Sequence, residues 1–156
     1  MTKCAVLFVC LGNICRSPVA EGVFTQKIDE AGLSEHVEVD SAGTAAWHVG
    51  KAPDDRMIKA ADERGYDLSS FRARQAVAAD FEKFDYILAM DLENYDNLCQ
   101  IRPPAAKAKL VLFLEYARGV EETEVPDPYF GGQDGFYHVI DLVEAASEGL
   151  IESLEL

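Results

Sequence analysis

Ala5-Val6-Leu7-Phe8-Val9 runs directly into Cys10-Leu11-Gly12-Asn13-Ile14-Cys15-Arg16-Ser17-Pro18, and a helical pattern follows over Val19–Ile28. A strand that empties into a tight loop, which then opens a helix, is an anion site. The loop's N–H groups can converge on one centre, and the helix N-terminus adds a favourable dipole. Cys10 stands where the strand ends, and Arg16 stands six positions on. A thiol at a helix N-terminus beside an arginine is the setting in which a thiolate persists at neutral pH. The planar fork of Arg16 suits two oxygens of one phosphoryl group. Gly12 permits close backbone approach, and Asn13 tolerates a left-handed backbone. Ser17 is predicted as the helix N-cap with Pro18 at the first helical position. Its hydroxyl is also placed to donate to the sulfur. Taken singly, a cysteine at a strand end is a small buried hydrophobe, and a loop arginine is a solvated charge. The whole run is read as a phosphate cradle, Leu11 to Ser17, with Cys10 as nucleophile at its floor.

The 156 residues suit one domain spanning 1–156, and 49% apolar content marks a globular chain. No stretch approaches a membrane span. The start, Met1-Thr2-Lys3, leads into an apolar run too short for a signal peptide, so a cytoplasmic location is expected. Lys and Arg total 14 against 28 Asp and Glu, a net charge of −14. That balance argues against nucleic acid as a partner. Within the cradle the only certain side-chain charge is Arg16, so attraction for an anion has to be local. Four cysteines, at 4, 10, 15 and 99, make neither a disulfide framework nor paired metal-ligand spacing. No cofactor and no metal are expected.

Taken in order, Lys3–Cys10 reads as a strand buried on both faces. Pro18–Ala31 reads as a helix closed by Gly32, and Val37–Asp40 as a second strand. Ser41–Pro53 is a loop, Asp54–Arg64 a helix stopped by Gly65, and Leu68–Ala76 irregular. Ala79–Lys83 is a helical turn, Tyr86–Met90 a third strand, and Leu92–Ile101 a helix ended by Pro103-Pro104. Leu110–Leu114 is a fourth strand, Pro126–Gly132 a loop, and Asp134–Glu152 a long last helix. Strands alternating with helices predict right-handed crossovers and an α/β sandwich with helices on both faces. Ligands of such sheets sit beyond the carboxyl ends of the strands, where Cys10, Asp40-Ser41 and Met90-Asp91 all fall.

Thiolate attack on a phosphomonoester calls for a general acid near the leaving oxygen. Asp127, in the stiff run Pro126-Asp127-Pro128-Tyr129, is the candidate. Asp-Pro alone is also an ordinary turn opener. Leu11, Trp47 and Tyr129 are candidate walls for an aromatic ring, and each could equally pin a loop to the core. Asp91 reads as a cap for the following helix or as an orienter of an arginine.

The cradle resembles that of the low molecular weight protein tyrosine phosphatases. The likeness continues through Asp40-Ser41-Ala42-Gly43-Thr44, Ala46-Trp47-His48, Gly65 with Asp67 and Ser69, Arg74-Gln75, Asp85–Asp91 and Pro126-Asp127-Pro128-Tyr129. The resemblance implies four parallel strands in the order 2-1-3-4. It implies hydrolysis of phosphotyrosine in proteins, or of small phosphomonoesters, through a phosphocysteine on Cys10. Asp127 would serve as acid and then as base, and Trp47 and Tyr129 as the rim. It further implies that Asn13, Ser17 and Ser41 form a network behind the cradle, and that Cys15 traps an oxidised Cys10 as a reversible disulfide. The family commonly has a histidine in that network; here Phe71 stands near its place, so an altered network is expected. A monomer is expected. Arsenate reduction would need more cysteines than Cys99 in the second half. Phosphoarginine hydrolysis goes with Thr where this chain has Ile14. A non-catalytic phosphotyrosine-binding or redox module would lack the nucleophile, the arginine or the acid, and this chain has all three.

Overall fold

The computed structural model describes residues 4–129 and 131–154. Lys3, the expected head of the first strand, and Phe130, within the expected loop Pro126–Gly132, lie outside them. β1 (Cys4–Cys10) is buried at every position, as a central strand must be. Its side chains alternate between two cores. Val6, Phe8 and Cys10 face one apolar cluster; Ala5, Leu7 and Val9 face the other. β1 pairs in parallel with β2 (Val37–Gly43) on one side and β3 (Tyr86–Ala89) on the other. β3 pairs in parallel with β4 (Lys109–Leu112), which gives the order β2-β1-β3-β4.

Helices cover both faces, so the fold is a three-layer sandwich. α1 (Arg16–Glu30), α2 (Asp55–Glu63) and α5 (Gln133–Leu154) pack over the Phe8 face. There Phe8 meets Phe24 and Phe113 edge to face at 5.5 and 4.9 Å between ring centres. α3 (Asp80–Lys83) and α4 (Leu92–Ile101) contribute Phe81 and Leu98 to the other face. Fully burying each such Leu or Phe stabilises the fold by about 1.5–3 kcal/mol. α5 passes so close to the 3-10 turn Phe113–Tyr116 that a Cβ at Gly149 would sit 1.8 Å from the Tyr116 carbonyl oxygen. Among the described residues no helix is long and apolar enough to cross a membrane.

Several boundaries differ from the sequence reading for local physical reasons. β2 runs on to Gly43, because Gly43 pairs with Cys10 and also bridges to Gln75. β4 stops at Leu112, where the chain tightens into the 3-10 turn. α1 starts at Arg16 with Cys15 at the N-cap, so Ser17 and Pro18 lie inside the first turn. Ser17 is therefore not the cap; its hydroxyl is occupied in the cradle. Gly32, at a φ of 73°, closes α1 as expected: its N–H bonds Asp29 and that of Leu33 bonds Ile28.

Candidate active site

The register places Cys10 beside Gly43 and one residue past the end of the β1–β3 pairing, so the carboxyl ends of three strands meet at the cradle. The cradle is held from outside by its carbonyls. Thr44 N–H donates to Cys10 O, Ala45 N–H to Leu11 O and Asp54 N–H to Ile14 O. In a planar trans peptide the N–H of the next residue points opposite to the carbonyl. The N–H groups of Leu11, Gly12 and Cys15 are thereby turned away from these outer donors, into the loop. Gly43 allows the approach: a Cβ there would lie 2.8 Å from Leu11 O and 3.1 Å from Asn13 N.

Asn13 has a φ of 56°, alone among the described non-glycine residues in that region. Its amide explains how the strain is held. Arg74 N–H donates to Asn13 Oδ1 at 3.0 Å. The Nδ2 group then donates to Ser17 Oγ at 2.7 Å and to Ser41 Oγ at 3.0 Å. With its two Nδ2 protons committed, each serine has its own proton to give elsewhere. Ser41 donates to Glu21 Oε1 at 2.7 Å. Ser17 Oγ lies 3.0 Å from Cys10 Sγ and 3.3 Å from Ala42 O. If the sulfur is ionised, the hydroxyl is its donor. No hydrogen bond of this network reaches Phe71 among the described residues. Phe71 packs half-buried against the core, and the network ends on the Glu21 carboxyl. Burial is the largest influence on that carboxyl, opposed by the Ser41 hydrogen bond and aided by Asp40; it is pushed up to about 7.

Arg16 is buried and closes the cradle. Its Nη1 donates to Asp91 Oδ2 at 2.6 Å and to Val125 O at 3.1 Å. Asp91 also accepts from Asn94 N–H at the start of α4, so it serves both as cap and as orienter. Burial works against the Arg16 charge, but Cys10, Asp91 and Asp127 more than restore it, and the guanidinium is held above its ordinary value. Asp127 comes from the far end of the sequence, with Oδ2 3.6 Å from Arg16 Nη2. Its Oδ1 accepts from Tyr129 N–H at 3.0 Å. Cys15, 4% exposed, lies in the same loop; burial, then Asp54, Cys10 and Asp127, push its thiol well up.

A cavity of about 240 Å³ opens over these groups. Cys10, Gly12, Cys15 and Arg16 line its floor, with Asp127 at one side. Leu11, Ile14, Trp47 and Tyr129 supply apolar walls, Trp47 being 70% exposed at the rim. Ser17, Asn13, Ser41 and Asp91 stand behind it. Sequence reasoning assigned no role to His48, which also lines the cavity and sits edge-on to Tyr129 at 6.4 Å. It also missed Glu21, Gly43 and Arg56. Glu21 carried a signal, a carboxylate one helical turn after Ser17 on a largely buried stretch.

A sulfur beneath inward-turned amides, overhung by a buried arginine and faced by a carboxylate, belongs to enzymes that hydrolyse phosphoric monoesters through cysteine. The chain belongs to the low molecular weight phosphotyrosine protein phosphatases, whose family model matches residues 5–156. A low molecular weight phosphotyrosine protein phosphatase of Schizosaccharomyces pombe is 48% identical over 138 residues, 87% of this chain and 88% of that one. A crystal structure of a protein tyrosine phosphatase from Entamoeba histolytica superposes with a TM-score of 0.94 at 47% identity, covering 97% of each chain. An arginine phosphatase of Drosophila superposes with a TM-score of 0.90 at 32% identity, covering 97% and 98%.

Proposed function

We propose that this chain, acting as a single cytoplasmic catalytic domain and a monomer, hydrolyses phosphotyrosine in proteins in two steps. The reading is carried by one observation: Cys10 and Arg16 of the cradle and Asp127, more than a hundred residues further along the chain, border one cavity. The Cys10 thiolate attacks phosphorus in line, the S–P bond forms, and the ester oxygen leaves with a proton from Asp127. Asp127, now ionised, takes a proton from water as that water attacks the phosphocysteine. Inorganic phosphate leaves and the thiolate is restored. The N–H groups of Leu11, Gly12 and Cys15, with the Arg16 fork, bind the three phosphoryl oxygens as charge builds on them. Trp47, Tyr129 and Leu11 receive the tyrosyl ring, and Ile14 supplies an apolar wall where phosphoarginine would want a hydroxyl.

Turnover of para-nitrophenyl phosphate and of phosphotyrosyl peptides tests this. Wild type turns over both, and Cys10→Ser neither. Asp127→Ala loses about 10²-fold or more in kcat/KM on phenyl phosphate and far less on dinitrophenyl phosphate, whose leaving group needs no proton. An equal loss on both esters would remove Asp127 from the acid role.

A further inference from the structure

Arg56 lies outside the cavity, in the first turn of α2, yet it touches both halves of the site. Its Nε and Nη2 form a fork on the Asp54 carboxylate at 3.1 and 3.0 Å. The backbone N–H of Asp54 is the donor that holds Ile14 O in the cradle. The same Nη2 donates to Tyr129 O at 2.8 Å, across 73 residues of sequence. The guanidinium lies 5.4 Å from the centre of the Tyr129 ring and 4.9 Å from that of Phe136 at the start of α5. Tyr129 in turn presents its N–H to Asp127 Oδ1. One planar cation therefore joins the cradle, through Asp54, to the aspartate, through the Tyr129 peptide.

We infer that Arg56 is a positioning residue that sets where Asp127 stands over the cradle. This rests on Asp127 being the acid. The consequence is directional. Tyr129 N–H holds Oδ1, and Oδ2 faces the cradle, 3.6 Å from Arg16 Nη2, so Oδ2 is the oxygen to carry the proton toward the leaving group. Without Arg56 the Tyr129 peptide loses this tie to α2, and the aim of the carboxyl loosens. Proton transfer tolerates little misplacement, so the loss should fall on substrates that need the proton.

The test is kcat/KM for Arg56→Ala on phenyl phosphate and dinitrophenyl phosphate, beside Asp127→Ala and the double variant. Arg56→Ala is expected to lose about ten-fold on phenyl phosphate and less than about two-fold on dinitrophenyl phosphate. It should add no further leaving-group dependence in the Asp127→Ala background. Arg56→Lys keeps the charge over the rings without the fork, and is expected to show the same leaving-group dependence in weaker form. It also supplies the answer if the alanine variant does not fold. Equal losses on both esters in Arg56→Ala and Arg56→Lys, with Asp127→Ala still selective, would overturn the positioning role and leave the acid in place. Equal losses in Asp127→Ala itself would overturn the acid and the inference together.

Discussion

The cradle and the loop carrying Asp127 are anchored very differently, although they face each other over the same sulfur. Three carbonyls of the cradle are bonded to N–H donors from the Thr44, Ala45 and Asp54 backbone, and Arg74 N–H holds Asn13. The aspartate loop is tied at Val125, which bonds Met90 O and receives Arg16, and again at Tyr129 through Arg56. Pro128 is buried between these ties, against Gly135, while the Asp127 side chain is 40% exposed. The difference fits the two jobs. An oxyanion site works by having its dipoles in place beforehand. A group that must first donate and later accept a proton needs access to leaving group and water.

Gly43→Ala is the most damaging way to break that comparison. The added Cβ would press on Leu11 O, Asn13 N and Gly12 C, all backbone atoms that cannot rotate away. The expected result is a loss of about 10²-fold in kcat/KM, equal on phenyl and dinitrophenyl phosphate because the cradle serves every ester alike. A leaving-group-dependent loss would show that the cradle and the aspartate loop move as one unit.

Cys15 tests the same rigidity from inside. The family likeness implies that Cys15 is the resolving thiol: a sulfenic acid on Cys10, formed by peroxide, and the Cys15 thiol would form one S–S bond and release water. Its proton is tightly held by burial and nearby acids, which slows attack of this thiol on the oxidised sulfur. After brief peroxide treatment, thiol should restore most wild-type activity and several-fold less in Cys15→Ser. Equal recovery in both would remove Cys15 from this role.

Legibility in the sequence followed contiguity. β1, the cradle and α1 are successive residues, so period and turn chemistry exposed them together. The helix start was misread at Ser17 because a cap-forming residue there had a stronger claim in the sequence than Cys15, which caps without a side-chain bond. Asp127, Trp47 and Ser41 were candidates by residue type and strand end, but their roles came from family likeness, since no local pattern ties them to Cys10. Arg56 left no trace as a functional residue because its meaning lies in a contact 73 residues away. Gly43 fell inside the expected loop Ser41–Pro53, when it is the last residue of β2 and lies against the cradle backbone.

Glu21 gives the gentlest probe, because it touches the cradle only through Ser41 and Asn13. Its carboxyl is raised from 4.5 to about 7 by burial. The folded state therefore binds its proton more tightly than the unfolded chain does between those values. Stability is fully present below about pH 4.5 and is lost as pH rises through about 7, with no further change above. Partial exposure screens the effect, so wild type should lose about 2 kcal/mol relative to Glu21→Gln between pH 5 and pH 8. Urea denaturation of both proteins at the two pH values reads this difference. Because Gln can still accept from Ser41, turnover should change by less than about two-fold. A parallel pH dependence in the two proteins would mean that Glu21 ionises as an ordinary carboxylate.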